Sequence, residues 1–362
     1  MANRYVVIMA GGKGERFWPQ SRLKRPKQLL PIVGEKPLLT QTVDRLTDLV
    51  PPENILIVTN EEQKAAVIDV CPMLPEANII GEPVGRDTAA AVGLSMVLVK
   101  QRDPEGVFAM LPADHVIHDD EGFKKIVAAS FEAAEKDSVL VTIGIRPDNP
   151  ATGYGYIHRG DVWAEIDGRT VYHVKEFKEK PDAATAQSYL DSGEYYWNAG
   201  MFIWSVAAIS AAFAEFTPGL NGALEKIDDA LTAGQPLADV LNEQYPSLEK
   251  ISIDYAVMEN ARNVVTMESA FDWDDVGEWP AVARHFDPDG EGNVVKGHGM
   301  VHGGGGNIVI SPEGHLTAIV GVDDLIVVRT DDATLICPKS KAQDIKHLVK
   351  KLADHPDWKQ LT

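Results

Sequence analysis

The chain has 362 residues, with 54 acidic and 34 basic side chains and a formal net charge of −20. Its 44% hydrophobic and 24% charged residues are ordinary globular composition, which excludes a disordered chain, and at ~150 residues per domain the length suggests about two domains. The acidity argues against nonspecific binding to nucleic acid or an anionic membrane. Cys71 and Cys337 are too few for a disulfide framework or a cysteine-based zinc site, and no apolar run approaches the ~18 residues of a membrane span.

The first apolar run, residues 5–10, reads as a strand. It is too short for a secretory core and leads straight into a glycine motif, so the mature protein is expected to start near Met1 and to reside in the reducing cytoplasm. Runs rich in β-branched residues at 55–59, 107–111 and 139–145 read as further strands. Helical patterns fill the intervals at about 38–50, 61–70, 88–101 and 121–136. The last carries Phe123, Ile126, Val127, Ser130, Phe131 and Ala134 on one face. This alternation predicts an α/β fold: a Rossmann-like mixed, mostly parallel sheet flanked by helices, with ligands beyond the carboxyl ends of the strands.

After Arg146 the pattern changes. Residues 146–160 are turn-rich; a strand-like segment at 171–178, a helix at 183–192, an aromatic stretch at 195–204 and helices near 206–216 and 222–233 follow. No Ser/Gly-rich linker intervenes, so these elements elaborate the same sheet. Asp287, Pro288, Asp289, Gly290 and Gly292 mark a boundary, dividing the chain into a large domain at 1–286 and a small β-rich domain at 287–362. Strands are expected there at 307–311, 316–320, 325–329 and 333–337, then an amphipathic helix bearing Ala342, Ile345, Leu348, Val349 and Leu352.

The first strand runs into Gly11-Gly12-Lys13-Gly14-Glu15-Arg16. Residues 11–28 hold six basic side chains (Lys13, Arg16, Arg22, Lys24, Arg25 and Lys27) against the single acid Glu15, a local +5 on a chain of −20. Glycines allow close backbone approach and an anion nest, while Arg and Lys neutralise phosphate oxygens. The reading is a nucleoside triphosphate loop. It lacks the Gly-Lys-Ser/Thr ending of a Walker loop, and Phe17 stands where a dinucleotide fingerprint needs its third glycine.

Asp114 follows the strand at 107–111 and would emerge at the same sheet edge as the glycine loop. Much later, Phe271-Asp272-Trp273-Asp274-Asp275-Val276-Gly277 sets three acids among aromatics. Mg²⁺ is commonly held by one or two carboxylates plus phosphates and water, so Asp114 and one member of this cluster can form a metal pair. Read alone, Asp114 is also compatible with a turn or cap. His115, His118, His298 and His302 lack a third histidine or a cysteine nearby and read as hydrogen-bonding or solvent-facing residues.

The string from Met9 to Pro19, with Ser21-Arg22 and Arg25-Pro26-Lys27-Gln28, resembles the sugar-1-phosphate nucleotidyltransferases, and most of all the bacterial mannose-1-phosphate guanylyltransferases. Later motifs agree in order: Glu82-Pro83 with Gly85 to Ala90, Leu111 to His115, Thr152 to Tyr156, Phe177 to Pro181, Trp197 to Phe202, Ser252 to Glu259, Phe271 to Trp279, and the tail around Asp331–Leu335 and Gln343–Leu352. The resemblance implies a GT-A-like nucleotidyltransferase fold. It implies nucleotide binding by Ala10, Gly11, Gly12, Lys13, Gly14, Arg16, Glu82, Pro83, Arg86, Thr88 and Asp114, with Lys27 near the reacting phosphates. Glu82 would accept hydrogen bonds from guanine N1–H and the 2-amino group, a donor pair adenine lacks. Asp114 and Asp275 would hold Mg²⁺ or another divalent cation. Lys180 would grip the sugar phosphate, and Gly153, Glu179, Asn198 and Asp254 would contact the sugar. Glu15 departs from the family's Thr or Ser, and Asp87 from a frequent Asn. The chain is too short for the cupin-type isomerase domain of bifunctional relatives, so isomerase activity is not expected.

The reaction so implied is in-line attack of a mannose 1-phosphate oxygen on the α-phosphorus of GTP, giving GDP-mannose and pyrophosphate. The nucleophile is already anionic, so catalysis is positioning and charge neutralisation by Arg16, Lys27, Lys180, Asp114 and Asp275. Rival readings are the same chemistry on glucose- or heptose-1-phosphate with UTP, dTTP or ATP, and a noncatalytic nucleotide-sugar sensor. The expected partners are GTP and mannose 1-phosphate, with no nucleic acid or membrane, and the resemblance points to a homodimer.

Overall fold

The computed structural model describes residues 3–362, so the expected start near Met1 lies outside the described residues. In chain order the elements are β1 (Arg4–Ala10), α1 (Leu38–Leu46), β2 (Ile55–Asn60), α2 (Lys64–Val70), β3 (Ile79–Glu82), α3 (Asp87–Arg102), β4 (Val107–Pro112), α4 (Asp120–Lys136) and β5 (Leu140–Ile145). Next come β6 (Tyr156–Ile166), β7 (Arg169–Lys178), α5 (Ala183–Ser192), β8 (Tyr195–Ser205), α6 (Val206–Phe216), α7 (Pro218–Thr232), α8 (Leu237–Gln244), β9 (Val264–Glu268) and α9 (Trp279–Ala283). The last part holds β10 (Val294–Gly297), β11 (Gly299–His302), β12 (Ile308–Ser311), β13 (Thr317–Val320), β14 (Leu325–Arg329), β15 (Thr334–Pro338) and α10 (Ile345–Ala353).

Strands β1 to β9 form one sheet in the order β3-β2-β1-β4-β8-β5-β9-β7-β6. The pairs β1–β2, β2–β3, β1–β4 and β5–β9 are parallel, and β8 joins β4 and β5 antiparallel. The strand period of two divides β1 between both faces. Val6 and Ile8 meet Leu39, Val43, Phe123 and Ile126 from α1 and α4, while Tyr5 and Val7 meet α3, α6 and α7 through residues such as Val92, Phe213 and Leu224. The chain runs outward from β1 through β2 to β3, then returns to β4 on the other side of β1. That reversal opens a crevice at the carboxyl ends of β1 and β4, which are level because Met9 pairs with Pro112.

The amphipathic pattern of α4 is realised: all six expected face residues are buried, and Asp119 caps the helix by accepting the Gly122 amide at 2.9 Å. Helix α7 begins earlier than expected, with Pro218 in its first turn, where the missing N–H costs nothing. The aromatic stretch at 195–204, given no type from sequence, is strand β8, and three further strands of the large sheet escaped the sequence pattern. The four residues of β3 include Gly81 and Glu82; β6 lies in the turn-rich stretch, with register shifts against β7; and β9 is five residues long, buried in the sheet interior.

In the last part β10-β12-β14-β15 form a four-stranded sheet and β11-β13 a separate parallel pair. Two of these strands, β10 and β11, were not expected; β10 ends at Gly297, at φ +84°, and only His298 separates it from β11. A third apolar cluster joins this part to the first. Ile326, Val328, Ile345 and Val349 pack with Phe17, Trp18, Leu30 and Trp279. Of the apolar face expected for the last helix, Ala342, Ile345, Val349 and Leu352 are buried in that cluster, while Leu348 is exposed.

Candidate active site

Two adjoining cavities, about 480 and 440 Å³, open at the carboxyl ends of β1 and β4. His115 and Asp275 line both and mark where they meet.

The smaller cavity is built on the loop after β1. Gly12 has φ +100° and Gly14 φ +60°, the left-handed region that glycine enters freely. A Cβ on Gly14 would stand 2.7 Å from the Lys27 amide nitrogen, so the loop closes only with glycine there. Side-chain amides hold its root: Gln28 Nε2 donates to the Ala10 carbonyl at 2.8 Å, and Gln63 Nε2 to the Leu23 carbonyl at 3.1 Å. Lys13, Gly14, Arg16, Lys27 and Asp114 line this cavity, and Glu15 lines it too. Arg16 Nη1 donates to the Gly277 carbonyl at 3.2 Å.

Lys27 is only 4% exposed. Its ammonium donates to Asp114 Oδ2 at 2.8 Å and to the Asp275 carbonyl at 2.6 Å. Burial alone would raise the Asp114 pKa, but the Lys27 charge and hydrogen bond outweigh it and hold the carboxyl below its ordinary value. Tyr154 donates to Asp275 Oδ1 at 2.8 Å. Each aspartate therefore spends one oxygen on a protein donor and has its other oxygen free of protein hydrogen bonds. Two hard oxygen donors on one cavity suit a divalent ion that takes its remaining ligands from phosphate and water. No group of three or more His, Cys, Asp or Glu suited to a metal occurs among the described residues, so the pair would need such outside ligands.

The three late acids divide the work. Asp275 faces the cavities. Asp274 is 9% exposed and takes Arg284 Nε at 3.0 Å, Arg284 Nη2, His285 Nε2 at 3.1 Å and the Val276 amide at 2.8 Å. Asp272 accepts the amides of His118 and Asp119 at 3.0 and 2.7 Å. Val276, fully buried, is held at φ +43°, a strained conformation for a β-branched residue. Backbone bonds in both directions between Val116 and Asp274 pin this segment beside Asp114.

The larger cavity has two polar ends. Gly11, Gly12, Glu82, Arg86 and Thr88 line the first. Glu82 is 7% exposed and accepts from the Tyr245 hydroxyl; burial pushes its carboxyl up to about 7, against the lowering effect of that bond. Thr88 Oγ1 accepts the Ile253 amide at 2.8 Å, Arg86 donates to the Pro246 carbonyl, and Asp87, at φ +65°, accepts the Thr88 amide. Gly153, Glu179, Asn198 and Asp254 line the second end. Asn198 Nδ2 donates to Asp254 Oδ1 at 3.0 Å, and a Cβ on Gly155 would stand 2.5 Å from Glu179 Oε2, so glycine makes room for that carboxylate. Burial, reinforced by the Glu179 charge, pushes Asp254 up to about 6.

Three expected site residues do not line either cavity. Ala10 lies at the loop root, with its carbonyl bonded to Gln28 and Thr59. Pro83 lies beside Glu82 without lining the space. Lys180 sits at the rim, at φ +47°, paired with Glu179. Burial works against its charge, but the bond to Glu179 and the Asp254 charge raise its pKa.

His115 Nδ1 accepts the Trp273 indole N–H at 3.0 Å, and burial lowers its pKa, which keeps the ring neutral. Tyr154, Tyr245 and Lys346 were not singled out from sequence. Tyr154 lies inside the Thr152 to Tyr156 motif, the one local signal for it. Tyr245 reaches Glu82 from 163 residues away and nothing local marks it; Lys346 lies inside the Gln343–Leu352 stretch, the one local signal for it.

A family model for nucleotidyl transferases matches residues 5–289, and one for a MannoseP isomerase/GMP-like β-helix domain matches residues 304–352. A mannose-1-phosphate guanylyltransferase of Escherichia coli (strain K12) is 38% identical over 352 residues, which cover 96% of this chain and 73% of that protein. One from Sinorhizobium fredii is 37% identical over 359 residues, 98% of this chain and 69% of that protein. A crystal structure from Thermus thermophilus, described as a mannose-1-phosphate geranyltransferase, matches with TM-score 0.84 and 38% identity over 97% of this chain and 99% of that one.

Proposed function

The chain belongs to the nucleotidyl transferase family, and on that premise we propose that it transfers GMP from GTP to α-D-mannose 1-phosphate, forming GDP-mannose and pyrophosphate. The observation that carries this reading is the junction at Asp275 of a lysine- and arginine-lined cavity with a larger one lined by Glu82 at one end and Glu179 and Asn198 at the other. A phosphate oxygen of the sugar attacks the α-phosphorus in line, and the bond from that phosphorus to the bridging oxygen breaks. Arg16 and Lys27 stabilise the charge gathering on the pyrophosphate. The attacking oxygen is already anionic, so no general base is needed, and a neutral His115 agrees with that.

Glu82 reads guanine, with Tyr245 fixing its carboxylate and Arg86 and Thr88 holding the facing segment at Pro246 and Ile253. Gly153, Glu179, Asn198 and Asp254 receive the sugar. Lys180 exchanges Glu179 for the sugar phosphate when substrate arrives. Asp114 and Asp275 would hold a divalent cation, Mg²⁺ in our reading, which would neutralise phosphate charge.

The reading takes residues 1–286 as the catalytic domain and 287–362 as the small C-terminal one. It takes the protein as a cytoplasmic homodimer with no nucleic-acid or membrane partner. The unpaired buried cysteines fit a reducing compartment, and the acidic charge works against nucleic acid and anionic membranes; among the described residues no helix is long and apolar enough to cross a membrane. Crossing GTP, ATP, UTP and dTTP with mannose-, glucose- and heptose-1-phosphates, with pyrophosphate release as the readout, tests it. Release should be highest with GTP and mannose 1-phosphate; a preference for another pair, or tight GDP-mannose binding with no release, overturns it.

A further inference from the structure

The lysine- and arginine-lined cavity has one wall that the large domain does not supply. Lys346, in the first turn of α10, lines it together with Lys13, Arg16 and Lys27. Its neighbours Ile345 and Val349 sit in the apolar cluster with Phe17 and Trp18. A helix turns about 100° per residue, so anchoring Ile345 on the loop directs Lys346 off that contact and along the loop's edge. Three further bonds hold the C-terminal region against the same loop. Trp18 Nε1 donates to the Leu361 carbonyl at 2.8 Å, the Leu23 amide to the Thr362 carbonyl at 3.2 Å, and Arg22 Nη2 to Asp332 at 2.8 Å.

Lys346 is half-buried and has no ion-pair partner among the described residues, whereas the nearby Lys339 and Lys341 pair with Asp324 and Asp344. Lys27 is already committed to Asp114, and Asp114 and Asp275 are the cation pair. Lys13, Arg16 and Lys346 therefore face one space in which Glu15 is the only other acid on the wall. Like charges gathered this way become favourable when a polyanion joins them.

Building on the proposed activity, we infer that Lys346 binds the β- and γ-phosphates of the triphosphate and the pyrophosphate released from it. The C-terminal domain thereby completes the site. The ammonium donates charge-assisted hydrogen bonds to phosphate oxygens, and no proton or covalent bond is exchanged with it.

The test runs the reaction backwards, from GDP-mannose and pyrophosphate, on full-length protein. Lys346→Met keeps the aliphatic stem and removes the charge. It should raise KM for pyrophosphate about tenfold and leave KM for GDP-mannose within about twofold. Lys346→Arg should restore most of the loss, and Lys350→Met, on the exposed face of α10, should change neither constant. Equal rises in both constants, or a pyrophosphate KM close to that of the parent, overturn the inference. Calorimetric titration of inorganic pyrophosphate into parent and Lys346→Met separates the two readings. If the parent forms no GTP from GDP-mannose, the proposed substrate pair fails, yet a loss of pyrophosphate affinity of about tenfold in the variant still supports Lys346. An unchanged affinity removes it.

Discussion

Asp275, Asp274 and Asp272 are chemically identical and close together in the chain, yet they do three different things, and substitutions should separate them. Asp275→Asn should lower turnover about a hundredfold, the usual cost of one charge-stabilising group, with circular dichroism unchanged. Near-normal turnover would remove Asp275 from the cation pair. Glu82 offers a pH test. Its carboxyl is pushed up to about 7, so guanine binding should weaken as pH falls below 7, because the protonated form loses an acceptor. Glu82→Gln should flatten that dependence. The stability effect has the opposite sense. A raised pKa means that the folded state holds a proton the unfolded chain has released, so the contribution is present in acid and lost as pH rises through 7. Glu82→Gln should therefore be more stable than the parent by ~3 kcal/mol at about pH 8 and equal to it near about pH 4, measured by denaturant titration. Tyr245→Phe should raise KM for GTP and narrow the preference over inosine triphosphate, which lacks the 2-amino group; a change in kcat alone would argue against a positioning role.

At the scale of elements, the strained turn at Val276 is held by Asp274 with its Arg284 and His285 partners. Removing Asp274 leaves the buried Val276 amide and the His285 ring without their acceptor, so Asp274→Ala should cost about 1–3 kcal/mol, read as a fall in Tm, and reduce activity through the displaced Asp275. Bonds from His285 and Val276, with the Arg284 charge, hold the Asp274 pKa down despite burial. That stability is present above the ordinary carboxylate pKa and is lost as pH falls through the depressed value. The elements that carry these groups differ in legibility. Strand β1, helix α4 and the loop between Gly11 and Gln28 were readable because period, capping and composition are local. Strands β3, β6 and β9 were not. The first is too short to show a period, the second is an irregular strand whose polar faces resemble a turn, and the third owes its burial to neighbours distant in sequence.

At the scale of the molecule, the boundary near 286 does not divide the apolar interior. Phe17, Trp18 and Trp279 share one cluster with Ile326, Val328 and Leu352. Ile326→Ala, at a fully buried position, should cost about 2–4 kcal/mol. Because the cluster contains two tryptophans of the large domain, tryptophan emission and far-ultraviolet circular dichroism should shift to a lower midpoint together; a shift in only one signal would mean that the two parts unfold independently. The net charge of −20 is likewise resolved at this scale, since cations scattered at Lys13, Arg16, Lys27 and Lys346 are gathered into one cavity of an otherwise acidic molecule.

By itself the sequence determined the α/β class, the glycine-rich basic loop after the first strand, the order of the motifs and the family they mark, because each depends on neighbours within a few positions. Motif resemblance already singles out Asp275 among the late acids; only the tertiary structure decided how Asp272 and Asp274 support it, and that Tyr154 and Tyr245 hold Asp275 and Glu82. It also decided that Lys180 rests at the rim on Glu179, and that the last helix brings Lys346 to the loop. Those are matters of which side chains meet after hundreds of residues of chain have packed, and a linear pattern contains no distance between them.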